Sequence, residues 1–464
     1  MPPPPPASSR GTSERVALAV ASLSSFLTPF MGASTNVALP AIARDLQLDA
    51  VQLSWIASSF LLAAATFLVP FGRLADIHGR KRVFQWGIVV YTLGSLLSAL
   101  ATSALTLIVA RAVQGAGGAM IFGTSVAILT SVFPPARRGW ALGVNVASVY
   151  LGLSLGPVVG GLITEYAGWR HLFAVNVVLG AGLACVVAAR LEGEWAGARG
   201  ERFDLAGSAL YALALGAVMY GLSRLPAPVG GAWLAAGVLA FAAFVRLELS
   251  VASPVLDIGL FTSSRVYALS NLAALVNYSA TFAVGFLLSL YLQHVRHLGP
   301  RAAGLVLVAQ PVLMTVVSPQ AGRLSDRVEA RIVASTGMAL TALGLALLVP
   351  IGPATPLPYI VACLALLGVG FGLFSSPNTN AVMSSVAPRH YGTAAATLGT
   401  MRLGGQMLSM GAAMLAIALV IGPVPITAAQ HPQLVVTTRL VLGLCAVLCA
   451  GGVVASLARG DVRA

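Results

Sequence analysis

Charge is what this sequence has least of. Asp, Glu, Lys and Arg make up 9% of its 464 residues, against 58% hydrophobic. Soluble domains of that total length would need about a quarter of their residues charged to face water. Cysteine is scarce too. Cys185, Cys363, Cys445 and Cys449 all lie in apolar runs, with no CxxC pair and no histidine near them. Such cysteines read as small core hydrophobes rather than a disulfide framework or metal site. The six histidines lie in or beside polar connections, and the apolar runs hold no Ser/His/Asp set or metal-ligand cluster. An enzyme is therefore not expected, nor a resident cofactor or metal.

What fills the chain instead is long apolar runs. Stretches such as 86–109, 139–163 and 356–374 are 19 or more residues long and almost free of charge. Each can cross a roughly 30 Å hydrocarbon core as a helix. The expected fold is an all-α polytopic membrane protein with about fourteen transmembrane helices. They run roughly over 16–40, 52–72, 83–103, 104–128, 139–163, 170–189, 204–223, 231–250, 267–293, 302–321, 332–351, 356–382, 393–421 and 436–457. Before them, 1–15 reads as a disordered, proline-rich tail. The first apolar run is too long for a signal-peptide core and reads as an uncleaved span.

The net charge of +13 raises nucleic acid as a partner, but the cations sit in short clusters between apolar runs, so the partner is the lipid bilayer. With both termini cytoplasmic, nineteen Lys and Arg fall on the inner side and six on the outer, leaving Arg111 and Arg402 inside spans. That bias sets the orientation in a cytoplasmic membrane. Trp55, Trp86, Trp140, Trp169 and Trp233 near span starts, with Trp195 just after one, match an interfacial aromatic belt.

The charged stretch GRLADIHGRKR (Gly72–Arg82) joins spans two and three. GRLSDRVEAR (Gly322–Arg331) repeats its opening between spans ten and eleven. If spans seven and eight are an insertion, both link the second and third spans of a six-span unit. The chain then divides into a six-helix bundle (16–190), two extra helices with linkers (191–266), a second six-helix bundle (267–458) and a cytoplasmic tail (459–464). Repeats of this kind build two halves around a midplane site in many transporters.

These motifs carry a family resemblance. GRLADIHGRKR resembles the signature loop of the major facilitator superfamily, and LIVARAVQGAGG (Leu107–Gly118) resembles its fourth-span motif. LGLSLGPVVGG (Leu151–Gly161) is similar to the fifth-span motif of antiporters. STNVALP, SPNTNAVM and MRLGGQ are similar to segments of the fourteen-span drug:proton antiporter branch. The resemblance covers nearly the whole chain after residue 15. It implies a major facilitator fold, two six-helix repeats plus two extra central helices, and transport of a small molecule coupled to protons. It also implies a cytoplasmic latch in which Gly72, Arg73, Asp76, Gly79 and Arg80 hold the halves together against the start of span thirteen near Gly392, with Asp326 as the weaker mirror image. One position departs from the branch: where it carries a first-span aspartate, this chain has Met31.

Other residues have physical readings of their own. By charge alone the Gly72–Arg82 loop reads equally as a topology anchor, but a lone acid such as Asp76 is also favoured at a helix N-terminus. Gly152, Gly156 and Gly160 recur every four residues beside Pro157, a spacing that lets helices approach closely and serves a hinge as well. Arg111 and Arg402 lie ~12–14 Å into their spans, reckoned at 1.5 Å per residue. Each either bonds carbonyls and the amides of Gln114 and Gln406, or gives a cavity positive potential. Asn36, Asn277, Tyr278, Gln310 and Asn378 are the remaining polar candidates for a cavity lining, or for bonds between helices. The favoured reading is an exporter of drug-like or amphiphilic small molecules by alternating access, with protons or a counter-transported anion as partner. An organic-anion exchanger or facilitator stays open because of the two arginines, and a non-transporting membrane sensor is the remaining alternative.

Overall fold

The computed structural model describes residues 14–196, 203–251, 256, 259–325, 327–386 and 391–460. Asp326, Asp257 and the tail up to residue 13 lie outside them. The described residues form sixteen α-helices and no strand. The first six are α1 (Glu14–Leu46), α2 (Ala50–His78), α3 (Arg80–Ala99), α4 (Ala104–Val132), α5 (Pro135–Tyr166) and α6 (Trp169–Arg190). Two more follow, α7 (Leu205–Arg224) and α8 (Pro228–Glu248), then the short α9 (Gly259–Ser263). The second set is α10 (Arg265–Leu290), α11 (Pro300–Leu307), α12 (Ala309–Ser325), α13 (Ala330–Leu348), α14 (Leu357–Ser384), α15 (Tyr391–Val420) and α16 (His431–Ala458).

Helices dominate because a backbone in hydrocarbon must satisfy its own hydrogen bonds. Several outrun the apolar spans and are capped by polar side chains. Gln52 N donates to Asp49 Oδ1 at 2.7 Å at the start of α2, and Gly207 N donates to Asp204 Oδ1 at 2.9 Å at the start of α7. Thirteen of the helical stretches are long and apolar enough to cross a membrane. The fourteenth expected span is α3, which opens on Arg80-Lys81-Arg82 and so has a shorter apolar stretch. The expected tenth span is broken into α11 and α12 around Val308. Pro311 has no N–H to continue the ladder and disfavours helical geometry in the residue before it. Large apolar side chains such as Leu105, Val178, Leu239, Val447 and Val454 remain exposed, as lipid-facing positions do.

The two sets of helices repeat one packing scheme. α1 packs on α4, α5 and α6 as α10 packs on α14, α15 and α16, while α3 packs on α4 and α6 as α13 packs on α14 and α16. The halves meet where α2 lies on α15, where α11 and α12 lie on α5, and where α1 touches α10. α7 and α8 pack on each other, and α7 leans on both α2 and α15, one from each half. Ala65, Met219, Met407 and Met414 form the buried apolar cluster at that junction. The result is the expected all-α fold of two six-helix repeats with two extra central helices. Below, the basal end carries the α2–α3 turn and the distal end the α1–α2 turn.

Candidate functional site

The seam between the halves is where polar chemistry crosses the molecule. At the distal end, Ser289 Oγ donates to Asn36 O at 2.7 Å and Gln293 Nε2 donates to Val37 O at 2.8 Å, joining α10 and its π-helical extension Tyr291–Val295 to α1. Arg301 N donates to Glu165 Oε2 at 3.1 Å, so a carboxylate on α5 receives an N–H from the first turn of α11. Arg301 Nη1 donates to the Tyr166 hydroxyl at 3.3 Å, and Ala50 N to Val424 O at 3.0 Å. Backbones also touch: a Cβ on Gly304 would stand 2.0 Å from Pro157 O, and one on Gly161 2.6 Å from Pro300 O. Only a glycine permits either approach.

Midway down the seam, the Tyr150 hydroxyl donates to Ser375 Oγ at 3.0 Å. Tyr150, Met314 and Phe371 form a small buried apolar cluster, with Leu153 and Tyr278 packed against it. Tyr278 meets Phe371 edge to face, ring centroids 5.1 Å apart. The guanidinium of Arg402 lies 5.8 Å from the Tyr278 centroid, and its Nη2 donates to Thr379 Oγ1 at 2.6 Å. Arg402 Nε is buried and has no hydrogen-bond partner.

The two intramembrane arginines, alike in sequence, have different surroundings. Arg111 is 2% exposed and enclosed in the first half. Its Nε donates to Ile56 O at 3.4 Å, its Nη1 donates to Gln114 Oε1, and Phe60 lies under it at 4.7 Å. Gln114 Nε2 and Asn176 Nδ2 both donate to Ser95 Oγ at 2.7 Å, so this network ties α2, α3, α4 and α6 together. A centrally placed Arg costs about 2.5–3.5 kcal/mol on insertion scales. Arg111 offsets that cost within its own half, and Arg402 is left at the seam with an unsatisfied donor.

The other expected cavity residues divide in the same way. Tyr278 and Asn36 stand at the seam. Gln310 and Gln406 are half-buried on α12 and α15. Asn277 is fully buried, its Oδ1 facing Cys449 Sγ of α16 at 3.9 Å. Asn378 Nδ2 donates to Ser270 O at 3.1 Å, and its Oδ1 accepts from Arg459 Nη1 at 2.9 Å. Arg459 was counted from sequence as a tail charge, yet it is 1% exposed and also donates to Ala330 O at 2.8 Å.

In the signature loop, Arg80 Nε donates to Asp76 Oδ1 at 2.9 Å and its Nη1 donates to Ser131 Oγ of α4 at 2.8 Å. Asp76 is thus engaged within its own half in this arrangement. Gly79, at φ +116°, turns the chain between α2 and α3, and a Cβ there would stand 2.4 Å from Glu194 Cδ. Glu194 caps α3 by accepting from Lys81 N at 2.8 Å and Arg82 N at 3.3 Å. Gly72 lies against Gly123 of α4, and a Cβ on Gly322 would stand 2.8 Å from Ser376 Oγ of α14, the equivalent position in the second half. The glycine row of α5 packs against α1 of its own half: Cβ atoms on Gly152, Gly156 and Gly160 would stand 2.5 Å from Phe26 O, 2.7 Å from Ala33 Cβ and 2.6 Å from Ser34 Cβ. Pro157 and Gly161 face the other half.

Comparison with known proteins fits this architecture. The family described as Major Facilitator Superfamily matches residues 21–409 and again 270–461. The cephamycin export protein CmcT of Amycolatopsis lactamdurans is 36% identical over 406 residues, covering 85% of this chain and 83% of that one. The riboflavin transporter RibZ of Clostridioides difficile is 28% identical over 390 residues, covering 83% and 84%. Among solved structures, a bacterial homolog of the human lysosomal transporter Spinster, in an inward-facing and unoccupied conformation, superposes with a TM-score of 0.70 over 96% of both chains at 14% identity. With that family matching along almost all of its helices, the chain belongs to the Major Facilitator Superfamily, as a multi-pass membrane transporter of small molecules.

Proposed function

We propose that this transporter exports drug-like, amphiphilic small molecules by alternating access. The halves 16–190 and 267–458 rock about their seam, while the helices within 191–266 lie beside it. The basal end and both termini face the cytoplasm, so the arrangement described above is the inward-facing half of the cycle. One observation carries the reading: of the six cross-half hydrogen bonds in which both partners are described residues, five lie at the distal end and one at mid-depth. Closure concentrated at one end of a repeated bundle is what one state of alternating access requires. The export direction follows the name of one relative, and a small-molecule cargo follows both names.

On this reading, cargo passes Asn36, Tyr278, Gln310, Arg402 and Gln406 along the seam. Arg111, Gln114, Asn277 and Asn378 hold the path's walls from behind. Gly72, Arg73, Asp76, Gly79 and Arg80, with Asp326 as their mirror-image counterpart in the repeat, close the basal end in the other state. Gly152, Gly156, Pro157 and Gly160 serve as the close-packing and hinge positions of α5. Protons or a counter-transported anion drive the cycle. The test is uptake of fluorescent amphiphiles into inside-out proteoliposomes under an imposed pH gradient, with spin-label distances read across the distal rim. Expected are accumulation and cargo-dependent widening of that rim. A folded protein that moves no amphiphile and keeps one rim distance is not this exporter.

A further inference from the structure

We infer that Arg402, Tyr278 and Thr379 form a subsite for the anionic head of a planar aromatic cargo, so that the transporter prefers aromatic carboxylates over cations of the same shape. The inference rests on the proposed function in one respect: it takes the seam to be the cargo path.

The argument starts from unbalanced charge. Every Asp and Glu among the described residues sits at a helix end or in a connection, so no carboxylate neutralises an arginine at mid-depth. Arg111 is provided for by Ile56 O, Gln114 and the Phe60 ring inside the first half. Arg402 is not provided for in that way. One donation goes to Thr379 Oγ1, while Nε is buried without a partner. A guanidinium offers a planar fork of donors that matches a carboxylate, and the match strengthens away from water. The missing counter-charge is what an anionic ligand would bring.

The surroundings select the rest of that ligand. Tyr278 presents its ring to Arg402 at 5.8 Å and its edge-to-face partner Phe371 at 5.1 Å, with Tyr150 packed on the same cluster. An aromatic body can stack on these rings while its carboxylate meets the guanidinium. A cationic analogue would meet an uncompensated positive charge in the same place, with no acid at mid-depth among the described residues to offset it. Thr379 Oγ1 is itself held, donating to Ser375 O at 2.8 Å, so it fixes Nη2 of the guanidinium while Nε keeps no partner.

The test uses three naphthalene probes that carry a carboxylate, a carboxamide or a trimethylammonium group. Binding to purified protein is measured by calorimetry, and flux is measured in proteoliposomes. The carboxylate is expected to bind about 10-fold or more tightly than the carboxamide, and the ammonium weakest. In Arg402→Gln the carboxylate should lose about 10- to 100-fold, the worth of a charged hydrogen bond, while the carboxamide changes little. Tyr278→Leu should weaken all three probes. If Arg402→Gln does not fold, the charge series on the unaltered protein still decides. Preference for the ammonium, no charge preference, or no binding of any probe overturns the inference. Carboxylate-selective binding without flux would leave the subsite standing and remove the exporter reading, while flux confined to the ammonium would do the reverse.

Discussion

The hydroxyl of Tyr150 donates to Ser375 Oγ at 3.0 Å, tying α5 to α14 across the middle of the seam. Among cross-half hydrogen bonds in which both partners are described residues, it is the one outside the distal seal. Halves that rock about the seam must part these two residues. Tyr150→Phe keeps the ring against Met314 and Phe371 and removes only the bond, worth about 0.5–1.5 kcal/mol. The distally open state should then gain roughly 2- to 10-fold in population. Spin-label distances across the distal rim measure this, and an unchanged distribution would show that the bond biases nothing.

Glu165 and Arg301 make the distal counterpart. The carboxylate accepts an N–H from the first turn of α11 and favours that helix end electrostatically, by about 0.3–1 kcal/mol. Glu165→Ala should loosen the seal, raising alkylation of a cysteine placed at Val37 from the distal side about 2- to 5-fold. Glu165→Gln, which can still accept the bond, should give a smaller rise. Equal rates in all three proteins would mean that the other distal contacts hold the seal without Glu165.

How much of this was legible beforehand depends on what kind of information each feature needs. Spans and repeats are one-dimensional signals, so apolar length and the echo of Gly72 at Gly322 were enough to reveal the bundle. Close helix approaches were legible too, because Gly152, Gly156 and Gly160 sit at the spacing that close packing demands. Helix rotation was not. Arg111 and Arg402 lie at similar depths in their spans, and only the turn of α4 and α15 about their axes puts one inside a half and the other at the seam. Tyr150, Ser375 and Thr379 were missed because a lone hydroxyl in an apolar run commonly bonds its own helix, as Thr379 also does. Arg459 and Glu194 looked like connection charges, and their burial or capping roles come from long-range contacts with no local pattern.

The glycine row gives a prediction with a control. Gly156→Leu puts a Cβ 2.7 Å from Ala33 Cβ and 2.9 Å from Phe30 O, so α1 must move. Overpacking of this kind costs about 1–3 kcal/mol. Thermal midpoint and turnover should fall together, because the row builds the first half and carries α5 at the seam. Gly443→Leu on α16, where a Cβ meets nothing within 4 Å, should change neither. Normal turnover in well-expressed Gly156→Leu protein would detach this row from the conformational cycle.

Asp76 is paired with Arg80 here, at side-chain exposures of 38% and 23%, and such a pair is worth about 0–1 kcal/mol. Asp76→Asn should therefore insert and fold normally. Its effect should appear in transport, because in the proposed cycle the basal latch forms when the distal end opens. Lowered flux with unchanged thermal stability is the expected pattern, and full flux would make the loop a topology anchor only.

Coupling is the sharpest question, because the usual chemistry is missing. A proton antiporter needs a group that changes protonation as access alternates, and a buried carboxylate suits this since desolvation raises its pKa. Met31 stands in the fully buried position where the resembling branch has an acid, and no other acid lies at mid-depth among the described helices. Arginine cannot take the role, since it stays protonated in proteins. The carboxylates that meet moving parts are Asp76 at the basal rim and Glu165 at the distal seal, one near each aqueous face. Removing the charge of Glu165 would weaken its hold on α11 and, in the proposed cycle, favour distal opening, and removing that of Asp76 tests the basal side in the same way. The Asp76→Asn, Glu165→Gln double variant should lose transport driven by a pH gradient while still exchanging cargo down its own gradient. An aryl sulfonate, ionised at every working pH, is the cargo to use, so that the substrate itself carries no proton. Wild-type flux of that sulfonate in the double variant would place the coupling in another group. If no pH-driven flux occurs even in the unaltered protein and an internal organic anion restores it, the driving force is anion exchange at Arg402, and Arg402→Gln should then abolish it.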